Sequence, residues 1–246
     1  MVHFQETLTS WYLVNKRSLP WRETKDPYRI WLSEIILQQT RVGQGKGYYL
    51  KFINEFPNIK ELSESTEQKV LSLWQGLGYY SRARNLHAAS KDIINNHQGV
   101  FPSNYIDLLK LKGVGPYTAA AIASFAFNEA KAVVDGNVFR VLSRIYDIPT
   151  PINSSKGAKD FQELAQGLIN KTDPATHNQA IMEFGALVCT PKAPKCNHCP
   201  MILECNAFKN NTISARPVKI KKGAVRSRFF LSRVFYNDLE KLLFLK

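Results

Sequence analysis

The chain is 246 residues long, 44% of them hydrophobic, with 33 Lys and Arg against 20 Asp and Glu, a formal net charge of +13. No stretch is long and apolar enough to span a bilayer. Met1 to Ser10 lacks the charged start and apolar core of a secretory signal, and no lipidation pattern appears, so a cytoplasmic protein is expected. The cationic excess argues for a polyanionic partner, by attraction and counterion release, and says nothing about fold.

This length can bury a substantial core in one or two domains. Leu8 to Val14 is predicted as an amphipathic helix, ended by Leu19-Pro20-Trp21-Arg22. After a polar loop, Tyr28 to Gln39 reads as a helix that is apolar around most of its surface, and hence central. Glu34 interrupts it, with Ile30, Trp31, Leu37 and Gln38 as its helical neighbours. A lone glutamate there reads by default as a solvated polar stripe. The alternative is a carboxylic acid in a partly apolar cleft, its pKa raised, suited to giving up a proton.

Helices are then predicted over Gly43 to Phe56 and, as a short pair, over Ile59 to Ser72. Gly76 and Gly78 make a tight turn before Tyr79, Tyr80, Arg82 and Arg84. Tyrosines of this kind can wedge between bases or stack on them while arginines contact phosphates. A helix follows over Asn85 to Asn95, and a short one over Tyr105 to Leu111. Gly113, Val114 and Gly115 then precede Pro116 and an alanine-rich helix through Phe127. Glycine tolerates positive φ, proline suits the first helical position, and a helix N-terminus with bare N–H groups attracts anions. Helix–glycine hairpin–helix in a basic chain therefore points to a nucleic-acid phosphate. Asp135 lies one helix further on, before Gly136 and Asn137. Helices over Val138 to Tyr146, Ala158 to Asn170 and His177 to Val188 complete an all-α reading.

The only four cysteines, Cys189, Cys196, Cys199 and Cys205, have the spacing C-x6-C-x2-C-x5-C. Four cysteines in one short segment of an intracellular chain read as a metal or cluster site and not as disulfides. Thiolates suit zinc or iron–sulfur equally. Lys192 and Lys195 lie inside the first cysteine loop, where a cluster would prop them against a DNA phosphate.

The hairpin, Asp135 and the cysteine spacing together resemble the DNA glycosylase superfamily that includes endonuclease III. Ser33-Glu34 through Gln38-Gln39-Thr40 and Gly76 through Arg84 are similar to segments of its adenine DNA glycosylase (MutY) family. The resemblance covers residues 1 to about 210. It implies a two-lobed helix-hairpin-helix fold with one 4Fe–4S cluster on the four cysteines. It implies duplex DNA with A:8-oxoguanine or A:G mispairs as partner, and a monomer associated with the bacterial nucleoid. By the same resemblance Glu34 is the acid that protonates adenine, and Asp135 stabilises the sugar cation. Tyr117 and Asn137 contact the carboxylates and sugar, Gln39 and Tyr79 enter the duplex, and Gly113, Val114 and Gly115 hold its backbone. Endonuclease III resembles this scaffold with a lysine where this chain has Tyr117. Lysine is the Schiff-base nucleophile, so a monofunctional glycosylase is expected. The alternatives are an endonuclease III-like glycosylase and lyase on oxidised pyrimidines, and a non-enzymatic iron–sulfur DNA-binding protein.

The expected organisation is a six-helix barrel module over 22–130 and a cluster module from 1–21 with 131–210. A basic linker over 211–228 leads to the start of a nudix-like C-terminal domain at 229–246, cut short at Lys246. In the family that domain reads 8-oxoguanine.

Overall fold

A computed structural model of the chain describes residues 2–220 and the strand residues Phe235–Tyr236 and Leu242–Leu243. The described chain is helical: α1 (Val2–Asn15), α2 (Pro27–Leu37), α3 (Val42–Glu55), α4 (Ile59–Glu64), α5 (Glu67–Trp74), α6 (Ser81–His97), α7 (Tyr105–Leu108), α8 (Pro116–Phe127), α9 (Gly136–Ile145), α10 (Ser155–Leu168), α11 (Pro174–Leu187) and α12 (Asn206–Lys209). The two strands pair antiparallel, Phe235 opposite Leu243 and Tyr236 opposite Leu242. The rest of the expected C-terminal segment lies outside the described residues.

α2, α9, α10 and α11 start earlier than hydrophobic periodicity suggests, because a polar cap precedes the first apolar residue. Asp26, Asn58, Thr66, Asn104, Ser154 and Asp173 each accept a backbone N–H of the first turn they precede. Pro116 takes the first position of α8 behind Gly115, as expected from its missing N–H. α7 is a single turn and α2 stops at Leu37, two residues short of the expected end.

Buried apolar side chains form two clusters. One runs from Leu19 to Val133 and centres on Trp31, Phe52, Trp74 and the alanines of α8. The other joins Phe4, Leu8 and Tyr12 of α1 to residues between Ala132 and Met201. Met182 of α11 packs against both. α2 lies on α8 in the first lobe, while α9 and α1 both lie on α11 in the second. Between Lys131 and α9 the chain passes from one lobe to the other, which places Asp135 at their junction. The segment after α12 is tied down as far as Ile220: Ile152 N–H donates to Val218 O at 3.0 Å, and Ile220 N–H to Asn153 Oδ1 at 2.8 Å. Among the described residues no helix is long and apolar enough to cross a membrane.

Candidate active site

Glu34 sits in the middle of α2, 7% exposed, and faces the cleft between the lobes. The cleft encloses a cavity of about 280 Å³, lined among others by Glu34, Tyr117, Asp135, Arg22 and Glu183. That volume is near the lower end for small-ligand pockets, roughly 300–1,000 Å³. Burial is the main force on the Glu34 carboxyl and raises it to about 7; the Tyr117 hydroxyl against it opposes the rise and the Asp135 charge adds to it. Tyr117 is the second residue of α8, so the hairpin helix delivers this hydroxyl to the carboxyl.

Asp135 is the N-cap of α9. Its Oδ1 accepts from the backbone N–H of Asn137 and of Val138, both at 2.8 Å, and its Oδ2 accepts from Asn137 Nδ2 at 2.7 Å. Burial pushes this carboxyl above the usual aspartate range, and the three donors and Arg140 pull it back. The positive end of the α9 dipole favours the anion further. Two carboxyls thus share one cleft in unequal surroundings. Asp135 is bonded as an anion by three donors, while Glu34, mainly desolvated, keeps its proton up to near neutrality.

The opposite wall escaped the sequence reading. Glu183 of α11 is fully buried and accepts from Arg17 Nε at 2.7 Å, Arg17 Nη2 at 2.5 Å and Arg22 Nη2 at 2.9 Å. Burial alone would raise this carboxyl; the two guanidiniums together outweigh it and hold it at about 2. Nothing in the spacing of Arg17, Arg22 and Glu183 announces that they meet, since 161 residues separate the last two.

Two buried arginines of α9 were likewise missed. Arg140 donates through Nη2 to Asn137 Oδ1 and to Gly185 O, both at 2.7 Å, and through Nε to Cys189 O at 2.6 Å. Arg144, one turn on, donates to Cys189 Sγ at 3.4 Å and to Thr190 O at 2.7 Å. Asp135, Asn137, Arg140 and Cys189 are therefore joined by consecutive hydrogen bonds. Two arginines at an i, i+4 spacing directly after the aspartate were the available signal. α9 approaches α11 closely at Gly185, where an added Cβ would lie 2.6 Å from Asn137 Cβ.

The four cysteines line one cavity whose walls include Phe184, Val188 and Met201. Cys205 is buried and the other three are half-buried, all as free thiols. Among the described residues no three His, Cys, Asp or Glu side chains are grouped so as to hold a single metal ion. The donor set still fits a thiolate-held group, with four sulfurs around one cavity and the Arg144 guanidinium donating to one of them. Lys192 and Lys195 are exposed on the first cysteine loop.

At the hairpin, Gly113 alone needs a glycine backbone. Its φ is +80°, and an added Cβ would meet Asn85 Cβ at 2.7 Å. Gly115 is extended, so the expectation of two positive-φ glycines holds for one. Val114 buries its side chain in the first lobe, and its N–H donates to Leu111 O at 3.1 Å within the hairpin. Gln39 and Tyr79 are both exposed, and both are non-glycine residues at positive φ, 55° and 48°. Arg82 differs from its expected role on DNA. Its guanidinium turns inward and donates through Nη1 and Nη2 to five backbone carbonyls at the ends of α2 and of the Gly76–Gly78 turn, while its Nε is buried without a partner, so none of its donors faces DNA.

Comparison with known proteins agrees with this geometry. A model of the HhH-GPD superfamily base excision DNA repair proteins matches residues 32–169, more than half of the chain. The chain belongs to this superfamily. The matched residues include the hairpin, Glu34, Tyr117, Asp135 and Asn137; the cysteines lie beyond them. Among curated members, the chain is 43% identical over 215 residues to an adenine DNA glycosylase of Buchnera aphidicola subsp. Baizongia pistaciae, covering 85% of this chain and 60% of the relative. It is 41% identical to the human adenine DNA glycosylase, covering 83% of this chain and 39% of that protein. The chain thus spans less than two thirds of the length of these relatives. Among solved structures, a thermostable thymine-DNA glycosylase superposes with a TM-score of 0.78 at 31% identity, over 84% of this chain and 95% of its own. An endonuclease III–DNA complex superposes with a TM-score of 0.72 at 19% identity, over 85% and 95% respectively, which supports the superfamily fold alone.

Proposed function

We propose that this chain is a monofunctional glycosylase that excises adenine mispaired with 8-oxoguanine or guanine in duplex DNA. The observation that carries this reading is the divided carboxyl pair, with Glu34 raised to about 7 and Asp135 bonded by three donors at a helix N-terminus in the same cleft. The adenine glycosylase relatives support adenine as the base. The target nucleotide leaves the stack at a cost of a few kcal/mol and its base enters the cavity, with Gln39 and Tyr79 filling the duplex behind it. Glu34 gives its proton to N7 of the base, and the base departs with the glycosidic electron pair as a neutral molecule. Positive charge develops at C1′, and the Asp135 carboxylate, held by Asn137, balances it. Water then adds to C1′ and releases a proton. Tyr117 has no amine to form an imine with the sugar, so the strand stays intact. Arg22, held in place by the buried Glu183, provides a donor on the wall facing the base edge. Phosphates are gripped by the backbone of Gly113, Val114 and Gly115 and by Lys192 and Lys195.

The four thiolates would hold a 4Fe–4S cluster, which when bound supplies a cross-link for the cysteine loop. The two lobes serve as a barrel module and a cluster module, and the chain acts as a monomer. A single-turnover assay on an A:8-oxoguanine duplex tests the reading. Free adenine and a strand cut only after alkali are expected. No adenine release, thymine release from a G:T duplex, or a borohydride-trapped covalent adduct would each overturn it.

A further inference from the structure

Gln39 and Tyr79 are 40 positions apart and belong to different turns, yet one side chain is bonded to both turns. Arg82, the second residue of α6, donates through Nη1 to Ile35 O at 3.0 Å, Ile36 O at 3.1 Å and Gln38 O at 2.5 Å. Through Nη2 it donates to Leu77 O at 3.2 Å and Gly78 O at 3.3 Å. The last carbonyls of a helix have no intrahelical donor, and a cation is favoured there. The Gln38 carbonyl belongs to the peptide unit that enters Gln39, and the Gly78 carbonyl to the one that enters Tyr79. One planar fork thereby fixes the two peptide units that precede the two positive-φ residues. The Trp74 ring closes the same site, its centroid 5.1 Å from the guanidinium carbon, with Trp74 Nε1 donating to Gly78 O at 3.0 Å. The Tyr79 ring lies over the guanidinium at 5.7 Å. Backbone conformations of this kind persist only where the surroundings over-determine them.

We propose that Arg82 is a positioning residue that locks the Gln39 turn to the Tyr79 turn, so that the two side chains enter the duplex as one rigid wedge. The proposal rests on the reading that Gln39 and Tyr79 open the duplex. A lysine retains the charge but cannot bridge five carbonyls with a planar fork.

The test uses an A:8-oxoguanine duplex carrying 2-aminopurine beside the adenine, with Glu34→Gln as the non-cleaving background. The fluorescence rise on binding reports unstacking. Arg82→Lys is expected to lose most of that rise, as Gln39→Ala with Tyr79→Ala does, while keeping the parent affinity for undamaged duplex and its salt slope. Combined with Tyr79→Ala, it should add little further loss, because it acts through that residue. A full rise in Arg82→Lys overturns the clamp. A weaker affinity with a salt slope lower by about one would make Arg82 a phosphate contact and also overturn it. If Gln39→Ala with Tyr79→Ala opens the duplex normally, the wedge reading itself fails, and the clamp with it. Should Arg82→Lys not fold, hydrogen exchange on the unaltered chain decides. The Thr40 amide, bonded to Leu37 O, and the Leu77 amide, bonded to Trp74 O, should share one opening equilibrium. Protection that differs tenfold or more between the two turns would refute a common clamp.

Discussion

The Asn137 side chain donates to Asp135 at 2.7 Å and accepts from Arg140 at 2.7 Å, so Asp135 is held by a residue that is itself held. The aspartate also caps α9, and these two duties can be separated by mutation. Asparagine caps a helix about as well as aspartate, whereas alanine forfeits about 1 kcal/mol. Asp135→Asn should therefore keep the cap, forfeit in the fold only the bond from Asn137 Nδ2, and lose about 10²–10³-fold in single-turnover base release, the scale for removing one electrostatic stabiliser. Asp135→Ala should lose both. Thermal melts beside rates check this, and an Asp135→Asn variant at the parent rate would remove Asp135 from the chemistry.

Base release should be bell-shaped in pH. Glu34 acts protonated and is raised to about 7, so activity is present below that value and declines as pH rises through it. Asp135 acts ionised, and burial has raised it, so activity also declines toward acid pH, earlier than for an ordinary aspartate. The two limbs belong to the pair and not to either residue. Tyr117→Phe removes a group that favours ionised Glu34, and should move the alkaline limb upward. Glu34→Gln should abolish that limb along with about 10²–10⁴-fold of the rate.

Iron analysis of the purified protein should give about four irons per chain, following the thiolate count. Zinc without iron would refute the cluster. Cys199→Ser should lower soluble yield and DNA affinity first, because the cysteines line a cavity of their own and reach Asp135 only through Arg140 and Asn137.

Duplex affinity should fall steeply with salt, as a net charge of +13 and the hairpin backbone both address phosphates. Replacing Lys192 and Lys195 together by alanine should lower the slope of log affinity against log salt by about two. An unchanged slope would take the cysteine loop off the DNA.

The helical class and the hairpin with its proline-started helix were legible because each has a local signature in residue type and spacing, whereas Glu34 and Asp135, which the structure brings to one cleft, were singled out through the resemblance. Asp135 was overlooked as a cap, since periodicity begins a helix at its first apolar residue, Val138. What the sequence hid depends on long-range approach. Glu183 with Arg17 and Arg22 forms only when α11 lies against the turn before α2. Arg82 and Arg84 look alike in sequence, yet Arg82 faces Trp74 and five carbonyls while Arg84 pairs with Glu67 at the surface. Which face of α6 points inward decides between them.

The close approach at Gly185 also bears on engineering. Replacing helix glycines by alanine is a common route to a more heat-resistant enzyme, worth about 0.4–1 kcal/mol at a compatible position. Gly47 in α3 and Gly167 in α10 offer open space to a methyl group, so both substitutions should raise the melting temperature. Gly185→Ala obeys the same propensity rule and should lower it, because the methyl would press on Asn137 and shift the residue that aims Asp135. A thermostabilised variant designed from helix propensity alone would thus trade catalysis away at a position where the sequence shows nothing but a glycine.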